Sequence, residues 1–183
     1  MKKFIISSIV CCCLFNSSNA QKFYTKNGNI SFFSKTSVED IKASNNQVLS
    51  VLNTQTGDLQ FSVIIKSFHF PKATMEEHFN ENYLESDKYP KSIFKGTVSD
   101  ISKVNFTADG VYPVTVSGDL TIHDVTNKVN TKGTISIKGG KINGKCTFMV
   151  ALADYKVEIP KVVEANIAKT IQVTVDCLYD QKM

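Results

Sequence analysis

From residue 22 onward the chain alternates. Apolar and polar residues exchange places one by one over most of its length, the period-two pattern of strands that bury a single face. Three stretches carry it most cleanly. Leu59, Phe61, Val63 and Ile65 share one face. Val114, Val116, Gly118, Leu120 and Ile122 share another, opposite Thr115, Ser117, Asp119 and Thr121. Val129, Thr131, Gly133, Ile135 and Ile137 stand opposite Asn130, Lys132, Thr134 and Ser136. The pattern predicts strands near 22–34, 45–53, 58–68, 92–106, 111–122, 128–138, 141–153 and 170–179, punctuated by Gly57, Asp109-Gly110 and Gly139-Gly140. Eight such segments, with no linker or repeat among them, predict one all-β domain over 21–183. The expected architecture is an eight-stranded antiparallel barrel, because closure removes the exposed edges of a sheet. A β-sandwich is the competing arrangement.

One segment breaks the alternation. In MEEHFNENYLESDKYPKSIFKG, Met75, Phe79 and Tyr83 recur at helical spacing, with Glu76, Glu77, Glu81 and Glu85 on much of the remaining surface. Thr74 followed by Glu77 fits a capping box, and Pro90 pushes Tyr89 out of the helical region. A short helix is therefore predicted near 74–85, laid as a cap on something apolar. Lys161 to Lys169 reads as a second short helix before the last strand.

Pairing can be guessed from the same faces. Joining Ile122 to Val129 across a loop at 123–128 would set Gly118 opposite Gly133, two glycines meeting on the apolar face. That reads either as a bend in the barrel or as room for a ligand chain. Setting Ala153 opposite Thr170 would place Cys146 opposite Cys177, near enough to bridge as a disulfide. Two buried free thiols is the other reading, and the residues leave both open.

The first twenty residues stand apart from this pattern. Lys2 and Lys3, the apolar run Phe4–Phe15, and Ser18-Asn19-Ala20 have the form of a signal peptide cleaved before Gln21. The apolar run is short for a membrane span. Cys11, Cys12 and Cys13 raise a lipoprotein alternative, but Ile9 and Val10 are not the small residues expected before a lipidated cysteine. The expectation is a periplasmic or secreted protein.

Charge narrows the partners. Without Lys2 and Lys3 the chain keeps 19 of its 21 basic residues against 17 acidic ones, too even a balance for a nucleic-acid footprint. Every basic residue is Lys, so no guanidinium is present to clamp a phosphate or carboxylate in two-point fashion. This favours a ligand with an uncharged head.

Catalytic and metal signatures are absent from the sequence. His69, His78 and His123 form no helical pair or metal-binding motif; His69 and His78, nine residues apart with Glu76 and Glu77 nearby, make only a weak metal alternative. There is no nucleophile elbow, P-loop or dinucleotide fingerprint. No enzyme activity, metal or cofactor is predicted.

The run EHFNENYLESDKYPKSIFKG, preceded by FHFPKATM and followed by GVYPVTVSGDLTIHDVTNKV, resembles the YceI-like family, and the likeness extends from Lys22 to Tyr179. It implies a lipocalin-like antiparallel barrel holding a long-chain isoprenoid or fatty amide. With that implication the residue pattern becomes specific. The expected function is an exported carrier of a long-chain apolar lipid (an isoprenoid, isoprenoid quinone or fatty amide), with transient membrane contact and an oligomeric state left open. From face and periodicity, Phe61, Phe70, Met75, Phe79, Phe94, Gly118, Gly133 and Phe148 are candidates for the ligand wall. His78, Asn82 and Tyr83 are candidates for the head-group end. The alternatives are an enzyme acting on a lipid or quinone through His78 or His123, and a structural envelope protein with a filled core.

Overall fold

The computed structural model describes residues 21–183; the leader, its cleavage and the start at Gln21 lie outside the described residues. The strands are β1 (Lys22–Lys35), β2 (Asp40–Asn53), β3 (Asp58–Ile64), β4 (Lys91–Val98), β5 (Gly110–Ile122), β6 (Val125–Lys138), β7 (Lys141–Ala151), β8 (Thr170–Tyr179) and a two-residue β9 (Gln181–Lys182). From β1 to β8 each strand pairs antiparallel with its neighbour in chain order, and β1 pairs with both β2 and β8. That double pairing closes eight strands into a barrel and excludes the sandwich. β9 merely extends the sheet beside Phe23 and Tyr24.

The strand directions put the connections at two ends. One end holds the β1–β2 turn, the helical segment between β3 and β4, the β5–β6 turn and the long connection from Leu152 to Lys169. The other end is plugged. Residues 99–106, expected as strand, instead leave β4 and turn under the barrel, with Ile101 and Val104 buried against Leu52, Leu59, Val98, Val114 and Ile137. Tyr179 lies among them, 4% exposed, its hydroxyl 2.8 Å from that of Ser50.

The cap is shorter and less regular than its sequence suggests. Helix α1 covers Ala73–His78, and Phe79–Tyr83 continues as a π-helical turn. The Thr74–Glu77 capping box does not form: the helix starts after Lys72 without a side-chain cap. The neighbouring Glu76 carboxylate instead reaches back to accept from the Phe70 N–H at 3.1 Å. The second helix reduces to one tight turn at Lys161–Val163. Downstream groups bond elsewhere: Ala168 N–H donates to Ser34 Oγ at 2.9 Å and Asn166 Nδ2 to Glu39 Oε2 at 3.2 Å.

Two registers differ from expectation. His123 and Asp124 form a two-residue hairpin turn with φ of 50° and 62°, the left-handed pair that a tight β-turn requires. Ile122 therefore faces Val125, Gly118 faces Val129, and Gly133 faces Val114. The glycine pair exists, but across the other edge of β5, where Gly118 faces Gly96. Its reason is the ring of Phe94, whose Cζ lies 2.5 Å and 2.8 Å from where side chains at Gly96 and Gly118 would begin. Between β7 and β8 the slip is two residues: Ala151 faces Thr170, so Cys146 faces Val175 and Cys177 faces Gly144. The two cysteines are free thiols rather than an opposed pair.

A methyl at position 118 would also fall 2.4 Å from the Lys95 carbonyl oxygen. Gly118→Ala is therefore expected to lower stability by about 1–3 kcal/mol, the usual range for overpacking. A melting curve equal to that of the wild type would overturn this account of the glycine pair.

Candidate functional site: an apolar chamber beneath the cap

The inward residues of the eight strands do not fill the barrel. A cavity of about 350 Å³ runs from the plugged end up to the cap. Its middle is walled by Phe61, Phe94 and Phe148, with Phe61 and Phe94 edge to face at 6.2 Å. Higher up, Phe79 from the π-helical turn stacks on Phe32 of β1 at 5.5 Å and meets Phe70 at 5.0 Å and Phe68 at 5.6 Å. These four rings root the cap in the barrel. Offset and edge-on aromatic pairs at such separations add to ordinary burial.

The cap is pinned at both ends. Glu76 holds its start, as described above. At its exit Glu85, at φ 42°, places Oε2 2.7 Å from Nε2 of His123, whose ring meets Tyr89 edge-on at 4.6 Å. His123 thus serves as a strut between cap and hairpin turn, not as part of the chamber wall.

Of the sequence-derived candidates, Phe61, Phe70, Met75, His78, Phe79, Tyr83, Phe94 and Phe148 line the chamber. His78 does so from an exposed position. Asn82, within the π-helical turn, is exposed and stands off the wall. Gly118 lies beneath the Phe94 ring, and Gly133 lies against the β7 backbone, 2.7 Å from the Lys145 oxygen at its Cβ site; neither lines the chamber. Sequence reasoning missed Phe32, which the alternation Ile30, Phe32, Ser34 could have revealed, and the rim residues Glu39 and Asn166.

Few ionisable groups touch this space. Burial pushes the Cys146 thiol up to about 11 and the Cys177 thiol up to about 12, and it raises the Tyr83 and Tyr179 hydroxyls. These groups stay neutral at physiological pH. Lys145 touches the cavity, but its amine is drawn to Asp176 at 2.7 Å. At the rim, Glu39 accepts from Lys72 Nζ at 2.9 Å as well as from Asn166, joining the approach to α1 to the 161–169 segment. Among the described residues there is no group of three or more His, Cys, Asp or Glu side chains placed to hold a metal ion.

A model of the YceI-like domain matches residues 15–178. The chain belongs to the YceI-like family. Solved structures repeat this YceI-like fold at low sequence identity. A polyisoprenoid binding domain from Saccharophagus degradans, implicated in plant cell wall breakdown, superposes with a TM-score of 0.75 at 15% identity, over 87% of this chain and 97% of its own. BcnA of Burkholderia cenocepacia gives 0.68 at 12% identity, over 82% and 95%. The YCEI protein of Campylobacter jejuni gives 0.55 at 14%, over 100% and 91%. No curated protein sequence matches the chain. What this YceI-like domain shares with these proteins is the fold.

The Glu39 tie has a pH signature. Hydrogen bonds from Lys72 and then Asn166 hold its carboxyl below the ordinary carboxylate value. A depressed carboxylate adds stability that is fully present above the unfolded pKa, near 4.5, and is lost as pH falls through the lower folded value. Amide exchange in the 161–169 segment, corrected for intrinsic rates, should therefore accelerate below about pH 4. Glu39→Ala should show that faster exchange already at pH 7 and lose the acid step; an unchanged acid step in the variant would sink the assignment.

Proposed function

We propose that this YceI-like protein is an exported carrier that sequesters a long-chain apolar lipid, an isoprenoid, isoprenoid quinone or fatty amide, inside its barrel. The observation that carries this reading is the chamber itself: about 350 Å³ of space walled by phenyl rings and branched aliphatics, where the two charged groups that touch it, Glu39 and Lys145, are paired with Lys72 and Asp176. That volume falls in the usual range of small-molecule sites. The driving force is transfer of the chain out of water, about 0.8 kcal/mol per methylene. Ten buried methylenes then supply roughly 8 kcal/mol before the costs of association.

The head group is taken to be uncharged. The one carboxylate on the wall, Glu39, is paired with Lys72, and no Arg exists in the chain to hold a diphosphate. The family relationship and the fold shared with a polyisoprenoid binding domain support the ligand class. The leader supports export, and N-terminal sequencing of the exported form should return Gln21 as the first residue.

Native mass spectrometry of protein purified gently from its own host tests the binding. One lipid per chain is expected, recovered chemically unchanged. An empty barrel of full stability would favour a structural role, and a transformed lipid would favour an enzyme. Phe79→Ser removes the ring that joins cap to wall. It should weaken retention of the lipid by roughly tenfold or more, since burial of a phenyl side chain is worth about 1.5–3 kcal/mol. Retention equal to that of the wild type would remove the cap from the site.

A further inference from the structure

The barrel wall has a gap. β6 and β7 pair only from Lys138–Lys141 up to Gly133–Cys146. Above that point β6 continues for eight more residues, Val125 to Lys132, fully paired with β5 on its other edge. β7 likewise continues to Ala151, fully paired with β8. Toward each other the two strands make no ladder pair. Backbone N–H and C=O groups on facing strand edges are normally satisfied by each other, so this is a parting of the wall and not a loose register.

Gly133 sits at the fork. Its Cβ site is 2.7 Å from the Lys145 carbonyl oxygen and 3.1 Å from Cys146 Cβ, the closest approach before the strands diverge. Higher up the slit is crossed by side chains alone. Thr131 Oγ1 donates to the Thr147 carbonyl oxygen at 3.2 Å, and Asn127 Nδ2 to that of Asp154 at 2.6 Å.

The chamber reaches this slit. Val129 and Thr131 on one side and Phe148 and Val150 on the other all line it. The inward side chains record the opening. Ile135 and Ile137, where the ladder is intact, are each 3% exposed, whereas Val129 and Thr131 on the same face of β6 are half-buried. Beside the slit Met149 turns outward, 59% exposed. The helix end contrasts with this. There the ties of Glu39 to Lys72 and Asn166, of Ser34 to Ala168, and of Glu85 to His123 hold cap, turns and connection together.

We propose that the slit between β6 and β7 is the passage through which the lipid chain enters and leaves the chamber, while the capped end stays shut. The proposal rests on the lipid-binding reading above. It makes Thr131 a gatepost: its hydroxyl bond to Thr147 is one weak tie that a sliding alkyl chain displaces, where a continuous ladder would have to be torn.

Two covalent locks test it. Continuing the Gly133–Cys146 register upward sets Asn130 across from Met149 on the outer face. Asn130→Cys with Met149→Cys, joined after folding by a short bis-alkylating reagent, closes the slit without altering a lumen residue. Glu85→Cys with His123→Cys, two residues whose side chains lie 2.7 Å apart at the cap exit and off the chamber wall, joined in the same way, locks the capped end. Cys177 is buried and Cys146 half-buried on the inner face, and burial raises both thiols, so mild alkylation at neutral pH favours the introduced surface cysteines; the Cys146→Ser background removes the inner thiol from the comparison. The readout is the rate at which each protein takes up a fluorescent prenyl or fatty-acyl probe from vesicles, against its own unlinked form.

The slit lock should slow uptake at least tenfold, and the cap lock should leave it within twofold. A slit lock without effect overturns the proposal, and slowing by the cap lock alone would then place the passage at the helix end. Equal slowing by both would mean that the whole barrel opens, and also overturns it. If the unlinked proteins take up no probe, the lipid-binding reading fails as well, a distinct result. Hydrogen exchange on the wild type gives a check that needs no variant. Amides of 126–132 should exchange faster than those of 133–138 in the empty protein and slow on loading with the probe; equal protection in both segments of the empty protein counts against the slit.

Discussion

Everything in this molecule follows from β1 being paired on both edges. Once β8 and β2 each bond to it, eight strands must share one circumference, and their inward side chains must share one cylinder. An eight-stranded cylinder is near the size at which side chains either fill the interior or leave a single ligand space. Here the chain does both. At one end Ile101, Val104 and Tyr179 complete a packed core, while towards the cap large rings face one another across open volume. The plug and the chamber are two solutions of the same geometric constraint, set by where the chain chose to spend residues between strands.

The polar groups follow the same division. Those near the chamber are either neutral or turned aside to partners: Ser50 to Tyr179, Lys145 to Asp176, Glu39 to Lys72. The strongest ties gather where the cap meets the barrel rim, and the weakest stretch of wall lies between β6 and β7. The ties that join cap to rim and the unpaired stretch of wall thus lie in different parts of the structure.

Much of the barrel was legible in the sequence, because alternation is a local property that reports the inner face directly. Phe61, Phe94 and Phe148 were read from face and periodicity within motifs that match the family, and closure was expected from the number of strands. Register was not legible. His123-Asp124 adopts the conformation of an Asn-Gly turn without its residues, so the β5–β6 loop was read too long and Gly118 was set opposite Gly133 instead of Val129. Gly96, with a glycine's silence in a hydrophobic pattern, gave no sign that it was the partner. The cap was found from its helical spacing, yet the helix starts at Ala73, too early for the Thr74–Glu77 box, and it runs on into a π-helical turn at Phe79–Tyr83 that no periodicity announces. The slit was invisible for a deeper reason. The β6 alternation weakens above Gly133, where Asn127 and Thr131 take inward places, but two polar residues on an inner face do not announce that the neighbouring strand has parted.

Three tyrosines, Tyr83, Tyr155 and Tyr179, border the chamber, and the chain contains six tyrosines and no tryptophan. Ultraviolet emission from this protein therefore comes from phenols, half of them within reach of whatever occupies the lumen. A bound quinone would quench them by energy or electron transfer, whereas a saturated amide or polyprenol would leave them bright. The fold thus carries its own optical probe, able to sort ligand chemistries in the native protein without any label.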